Sequence, residues 1–394
     1  MKVVFVGGGV MNFALMRNMT HYGAHDSTEI AFWDINPKIK EYFDVHHASP
    51  HPYLSELTLN DNVSAAQNLE DLIKGAVHII IGVPAQKMRY AIRDIAELVK
   101  EHQIITIVSK GIELNSYMRN SEIVLEELRK VRGKRYKHPI AVFSGGTTAV
   151  DLAYGAIIGA EVAAKHKKVR RAVAAIFNNQ RLRVWPNRDV KGVEYSGALK
   201  NVISIGAGLA EAVVSLLVKE PSWWKEKYGD EKFGAVGIKS VFVSRAEKDL
   251  YAISRALGCK LETFLAGSIA FHGDMNLSCF GHTRNLNYGD RVGRGEEGPP
   301  EVVLSNMQSE GNTVEGYYTV KAVYELANKL RKEGKLKVET PCIDAVYNVV
   351  YEGMKPLDAL TGLMTRKMTE IGMVRRATQA VKLYVGGFKL RKRV

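Results

Sequence analysis

Three stretches of this sequence carry side chains that could do proton chemistry. In GVEYSGALKNVISIGAGLAE, residues 192–211, Lys200 stands among small and apolar neighbours. At 100° per residue it shares a stripe with Ser196, Ser204, Ala207 and Glu211, while Val202, Ile205, Leu209 and Val213 fall opposite. A long side chain framed by small ones fits a cleft that a ligand or another segment enters closely; a surface lysine on an amphipathic helix is the plain alternative. In VSKGIE, Val108 to Glu113, Lys110 directly follows an apolar strand-like run and precedes a glycine. The third stretch, HGDMNLSCFGHTRN, His272 to Asn285, holds Asp274, Arg284 and Asn285, each of which alone reads as a loop residue or a helix cap.

A fourth stretch points to a nucleotide. GGGVMN, Gly7 to Asn12, follows the first strand-like run and opens a helix, the context of a dinucleotide fingerprint. Gly7 would make the tight turn and Gly9 would let backbone approach a pyrophosphate at the helix N-terminus, beside Val10 and Met11. Asn12 stands where the fingerprint has its third glycine, which predicts a loss of close helix-to-strand packing. EIAFWD ends the second strand in Asp34, placed to accept hydrogen bonds from ribose hydroxyls and to repel a 2′-phosphate, so NAD is expected rather than NADP. GVPAQ, Gly82 to Gln86, which holds Pro84, and the Lys110 loop also fall at carboxyl ends of strands, where an open parallel sheet binds ligands.

These residues need a scaffold, and the first half of the chain supplies one. Apolar runs (KVVFV, EIAFWD, VHIIIGV, IITIVS, HPIAVFS) alternate with helical periods, which predicts a Rossmann-type parallel sheet covered on both faces. GAIIGAEV and LRVWP, separated by the helical KVRRAVAAIFNN, should extend the sheet at one end. After a Pro-Asn turn near Pro186 to Asp189 the periods become helical. The expected division is therefore a dinucleotide-binding domain at residues 1–188, an all-α domain at 189–365 and a basic tail at 366–394.

Composition bounds the rest. The 394 residues are 46% hydrophobic and 25% charged, as in a globular protein of two or three domains. The start at MKVVFVGGG lacks a secretory pattern and no run approaches a membrane span, so a cytoplasmic protein without a transmembrane segment is expected. Cys259, Cys279 and Cys342 are scattered and odd in number, which argues for reduced thiols. His46, His47, His272 and His282 have no metal-ligand spacing, and no metal is expected. The tail carries nine Lys or Arg against one Glu, hence +8 of the net +13. With few aromatics and no nucleic-acid module it reads as a solvated face with at most weak membrane-surface contact, and no nucleic acid partner is expected.

Taken together and in order, VPAQ, SKGIE, GVEYSGALKNVISIGAG, GD followed by C and RN, and VEGYYT at Val314 to Thr319 resemble the NAD-dependent glycerol-3-phosphate dehydrogenase family, from residue 1 to about 365. The resemblance implies an α/β fold whose all-α C-terminal domain is similar to that of 6-phosphogluconate dehydrogenase, a homodimer, and a phosphorylated three-carbon substrate. It also implies that Lys200 exchanges a proton with the substrate's C2 oxygen, that Lys110 lies on the other side of that oxygen, and that Asp274 holds a lysine in place. Arg284 and Asn285 would hold the phosphate, with Asn201 beside them, and Arg284, Ala149 and Glu315 would face the cofactor. Independently of the family, ketone reduction puts negative charge on oxygen, which a desolvated lysine near a second cation can stabilise and protonate. The chain departs from the family's pattern at Met11 and Asn12, at SGGTTA (Ser144 to Ala149), which lacks a proline, and at residues 217–236, a Trp-containing insertion that reads as a lid, an oligomer contact or a long loop. Two readings stay open beside the main one: a related dehydrogenase of another small hydroxy acid or sugar phosphate, and a non-catalytic NAD-binding sensor.

Overall fold

The computed structural model describes residues 1–23 and 27–365, so the basic tail lies outside the described residues. Strands and helices alternate as β1 (Lys2–Val6), α1 (Val10–Tyr22), β2 (Glu29–Trp33), α2 (Pro37–His46), β3 (Val63–Ala65), α3 (Leu69–Ile73), β4 (His78–Ile81), α4 (Met88–Ile95), β5 (Ile104–Ile107), α5 (Asn120–Arg132), β6 (Ile140–Ser144), α6 (Ala149–Ala153), β7 (Ile158–Ala164), α7 (Lys167–Phe177) and β8 (Leu182–Asn187). Helices follow: α8 (Val190–Leu217), α9 (Ser222–Tyr228), α10 (Ala235–Ala256), α11 (Asp274–Phe280), α12 (Arg284–Arg294), α13 (Pro300–Ser309), α14 (Glu315–Lys332), α15 (Pro341–Tyr351) and α16 (Pro356–Thr365).

The eight strands form one sheet in the order β3-β2-β1-β4-β5-β6-β7-β8. The strand order reverses direction between β1 and β4, which opens a crevice at their carboxyl ends. Buried side chains on the two faces pack under α1, α6 and α7 on one side and α3, α4 and α5 on the other. That double cover explains strands such as HIII, buried at every position. The sheet is not parallel throughout: β7 pairs antiparallel with β6, and β8 runs parallel to β7. The β6–β7 connection contains only the five-residue α6, too short a helix for the usual crossover back to a parallel neighbour.

Helix α8 lies at the centre of a separate apolar core formed with α10, α12, α14 and α15. It is buried on every side, Ser196 and Ser204 included, which overturns the surface-lysine alternative for Lys200. Glycines permit this. A Cβ at Gly208 would collide with the α12 backbone at Leu286, and one at Gly289 of α12 would collide with Ile205 of α8. Helix α8 is also long and apolar enough to cross a membrane by composition, contrary to the expectation that no run approaches that length; 78% of its most apolar window is buried inside the protein.

The insertion at 217–236 is folded rather than open. Trp224 Nε1 donates to the Glu231 carbonyl at 2.5 Å, and Trp223 and Trp224 both lie edge-on to Phe233. Lys232 ties it to Asp290 of α12 at 2.7 Å and to Glu211 of α8 at 3.1 Å. Glu211, one of the two anchors, lies about 16 Å along the helix from Lys200 at 1.5 Å per residue.

Candidate active site

The two lysines meet on one carboxylate. Lys110 Nζ, at the carboxyl end of β5, donates to Asp274 Oδ2 at 2.6 Å and to the Gly145 carbonyl at 2.9 Å. Lys200 Nζ, from the middle of α8, donates to Asp274 Oδ1 at 2.7 Å and also to Ser278 Oγ. Asp274 begins α11 and has no exposed surface, so its charge is balanced by the ammonium groups and not by water. Ser278 follows Asp274 by one helical turn, which sets both side chains on the same face toward Lys200. That i, i+4 spacing in DMNLS was readable, but the sequence reading passed over Ser278.

Burial pushes the Lys110 ammonium down to about 8; Asp274 opposes the fall and Lys200 adds to it. Space for the Lys110 stem comes from α8 itself. A Cβ at Gly197 would sit 2.6 Å from Ser144 Oγ and 3.4 Å from Lys110 Cγ. The small residues around Lys200 therefore admit both a neighbouring helix and the second lysine.

Asn201, next to Lys200, accepts a hydrogen bond from Asn285 Nδ2 at 3.0 Å, and Asn285 Oδ1 accepts one from Gly316 N at 3.0 Å. Asn285 thus links α8, α12 and the start of α14. Arg284 opens α12, and among the described residues its guanidinium forms no hydrogen bond or ion pair. Its side chain keeps solvent contact while the protein packed around it lowers its pKa, with Glu315 opposing. Burial pushes the Glu315 carboxyl up to about 7 against the pull of Arg284 and of a hydrogen bond from the Ala85 backbone. His51, from the connection between α2 and β3, also faces Arg284 and hydrogen-bonds the Gly311 backbone; burial first and Arg284 next lower its pKa. No sequence signal marked His51, since its neighbours come from the distant end of the chain.

The crevice side holds the nucleotide candidates. Gly8 N donates to Asp34 Oδ2 at 2.7 Å and Asn36 N to Asp34 Oδ1 at 2.8 Å, so the carboxylate is fixed at the end of β2. A Cβ at Gly7 would lie 2.9 Å from the Gly82 carbonyl, whereas around Gly9 only that carbonyl comes within 4.0 Å. Gly9 is exposed, and no side chain caps the first turn of α1 at Val10, Met11 and Asn12. Open backbone before uncapped N–H groups fits a pyrophosphate. Asn12 does not loosen the packing as expected. It is fully buried, its Nδ2 donates to the Val6 and Gly7 carbonyls at 3.1 and 2.7 Å, and it fills the space that Gly82 leaves by lacking a side chain.

Pro84 precedes a short turn whose Gln86 Nε2 donates to the Ile112 carbonyl at 2.8 Å, stitching the loop after β4 to the Lys110 loop. Ala149 starts α6 and, like Val10 and Met11, packs against the apolar core on the α1 side of the sheet. His46 and His47 are exposed, and His272 lies 3.4 Å from Glu247. Cys279 is fully buried in the helical core, and burial pushes its thiol up to about 12.

Comparison with known proteins gives a consistent result. Residues 2–170 match the family model described as NAD-dependent glycerol-3-phosphate dehydrogenase N-terminus, and residues 189–361 match the model for the C-terminus of the same family. The chain is 30% identical over 369 residues to a Clostridium tetani protein named glycerol-3-phosphate dehydrogenase [NAD(P)+], covering 92% of each chain. A Listeria innocua protein of the same name is 29% identical, with 93% of this chain and 96% of the relative covered. Among solved structures, a glycerol-3-phosphate dehydrogenase from Coxiella burnetii superposes with a TM-score of 0.74 at 22% identity, over 93% of this chain and 99% of the other. One from Plasmodium falciparum gives 0.76 at 18% identity, over 94% and 96%. At these identities the superpositions show the shared fold.

Proposed function

Since the chain belongs to the NAD-dependent glycerol-3-phosphate dehydrogenase family, we propose that it interconverts glycerol 3-phosphate and dihydroxyacetone phosphate, with NAD preferred to NADP. The observation that carries the reading is the Lys110–Asp274–Lys200 arrangement, with the uncommitted Arg284 directly following Thr283, whose hydroxyl lies 3.3 Å from that of Ser204, one turn beyond Lys200. Residues 1–188 form the dinucleotide-binding domain in this reading, and residues 189–365 the substrate domain. A cytoplasmic homodimer belongs to it as well; the chain has three buried cysteines that form no disulfide, and exposed Leu216, Leu217, Trp223 and Val236 offer apolar surface for a second copy.

When bound, the nicotinamide supplies or takes up the hydride. Gly7, Gly9 and the first turn of α1 (Val10, Met11, Asn12) would hold its pyrophosphate through backbone, Asp34 would take the ribose and disfavour a 2′-phosphate, and Pro84, Ala149, Arg284 and Glu315 would face the rest of it. The chain's own residues manage charge and protons. In ketone reduction, negative charge grows on the C2 oxygen between two ammonium groups. Lys200 delivers the proton there, Lys110 stabilises the charge, and Asp274 keeps both lysines aimed at one point. Arg284 clamps the phosphate with Asn285 and Asn201, and binding energy at that remote group orients the reacting carbon.

The test is steady-state NADH oxidation with dihydroxyacetone phosphate and with unphosphorylated dihydroxyacetone. The expected outcome is turnover of the phosphate ester with kcat/KM at least ~10²-fold above that of the unphosphorylated ketone, the scale of a few kcal/mol of oxyanion binding. Folded protein that binds NADH and turns over neither ketone would refute the reading.

A further inference from the structure

Glu161, in β7, is buried at 7% exposure and has no cationic partner among the described residues. Four hydrogen bonds stabilise its carboxylate instead. Oε1 accepts from Ser268 Oγ at 3.0 Å, Ile269 N at 2.9 Å and Ala270 N at 3.2 Å, and Oε2 accepts from Asn187 Nδ2 at 2.6 Å. The Asn187 amide is fixed in turn, because its Oδ1 accepts from Asp189 N at 2.7 Å.

Three of those four donors belong to the segment that leads directly into Asp274. Residues Ile269–Gly273 form a single π-helical turn, closed by a hydrogen bond from Gly273 N to the Ser268 carbonyl at 3.1 Å. Such a turn contains one residue more than an α-turn and is uncommon in isolation. Its first N–H groups have no acceptor within their own helix, and Glu161 supplies one from the sheet. The register matters because each residue advances a helix by 100°. Tightening to an α-turn would shift the phase of Asp274 by one residue, enough to take its carboxylate away from at least one lysine.

We propose that Glu161 is a positioning residue: from the sheet it holds the π-turn open so that Asp274 is presented to Lys110 and Lys200 together. The proposal rests on the dehydrogenase reading and adds to it the element that sets the aim of the carboxylate. Glu161 itself touches neither lysine.

Replacement of Glu161 by glutamine provides the test. Whichever way the new amide turns, an N–H group faces either Asn187 Nδ2 or the donors of the turn. With Asp274 displaced, Lys110 loses the carboxylate that favours its charged form, while burial and Lys200 still act on it; Glu315 Oε2 faces the adjoining Gly111, 3.6 Å from where a Cβ there would stand. Glu161→Gln is therefore expected to lower kcat for ketone reduction roughly tenfold with KM changed less than about twofold, and to move the alkaline limb of the kcat profile to lower pH. The double variant Glu161→Gln with Asn187→Asp restores the donor-acceptor order and should recover both kcat and the limb. If Glu161→Gln does not fold, Ser268→Ala removes one donor to Oε1 and should move the limb in the same direction by less.

A variant with reduced Tm but wild-type kcat and pH profile makes Glu161 merely structural and overturns the proposal. So does a folded double variant that recovers nothing, or Ser268→Ala with an unmoved limb. Absence of turnover by the wild-type protein would instead remove the dehydrogenase reading itself.

Discussion

At the scale of single residues, the site is defined by one buried carboxylate shared between two ammonium groups. Removing Asp274 would leave two unpaired ammonium groups in a poorly solvated place, whereas removing either lysine would leave a one-to-one ion pair, so their charges are coupled and none can be understood alone. Lys110, pushed down to about 8, is the group whose ionisation falls in an accessible range. The proposed mechanism requires that ammonium to be charged for ketone reduction, so the reduction rate should fall as pH rises through about 8. Asp274→Asn removes the partner that keeps Lys110 charged, so the same limb should shift to lower pH. A pH–kcat profile of wild-type and variant enzyme measures this, and a limb unmoved by Asp274→Asn would exclude Lys110 as its origin. Ser278 and His51 were not picked out, whereas Lys110, Lys200, Asp274 and Arg284 were legible as types in short motifs. Their pairings were not, because Lys110 and Asp274 are brought together by the fold across 164 residues of sequence.

Elements rather than residues explain why Lys200 lies among small neighbours. The helical period placed Lys200 on a stripe with Ser196 and Ser204, but periodicity describes one helix and is silent about what approaches it. The structure supplies the partners: α12 at Gly208, and the Lys110 stem at Gly197. Gly197→Val should therefore force branched atoms against Ser144 and Lys110, destabilising the protein by about 1–3 kcal/mol and depressing kcat more than it raises KM. Denaturant unfolding with kinetics on the folded variant checks this, and a neutral substitution would mean that the cleft wall yields. The same limit explains two other differences. The alternation of runs gave the strands but not the reversed direction of β7 and β8, which depends on how short α6 is. The glycine pattern flagged Asn12 but not Gly82, whose missing side chain makes room for it.

For the whole molecule, folding joins a sheet that carries the glycine loop and Lys110 to a helical core that carries Lys200 and Asp274. Arg284, Glu315, His51 and Ala85 converge from four separate segments where these two parts meet. Stability carries its own pH signature through Asp249 of α10, whose carboxyl group accepts from the first N–H groups of α15. Burial pushes its carboxyl up to about 7 despite hydrogen bonds from the Cys342 and Ile343 backbone. An unfolded chain releases that proton near pH 4, so between about 4 and 7 the folded state binds more protons and stability falls as pH rises. The loss is on the order of a few kcal/mol across that window. Asp249→Asn should flatten this slope in urea unfolding measured across the window; an equally steep slope in the variant would assign the effect to other groups. The central claim is that ketone reduction runs through Lys200, and single-turnover rates with parallel NADH titration of Lys200→Ala test it most directly. The account predicts a loss of at least ~10²-fold in the rate of ketone reduction with NADH affinity unchanged within about twofold. A variant that reduces dihydroxyacetone phosphate at the wild-type rate would contradict it.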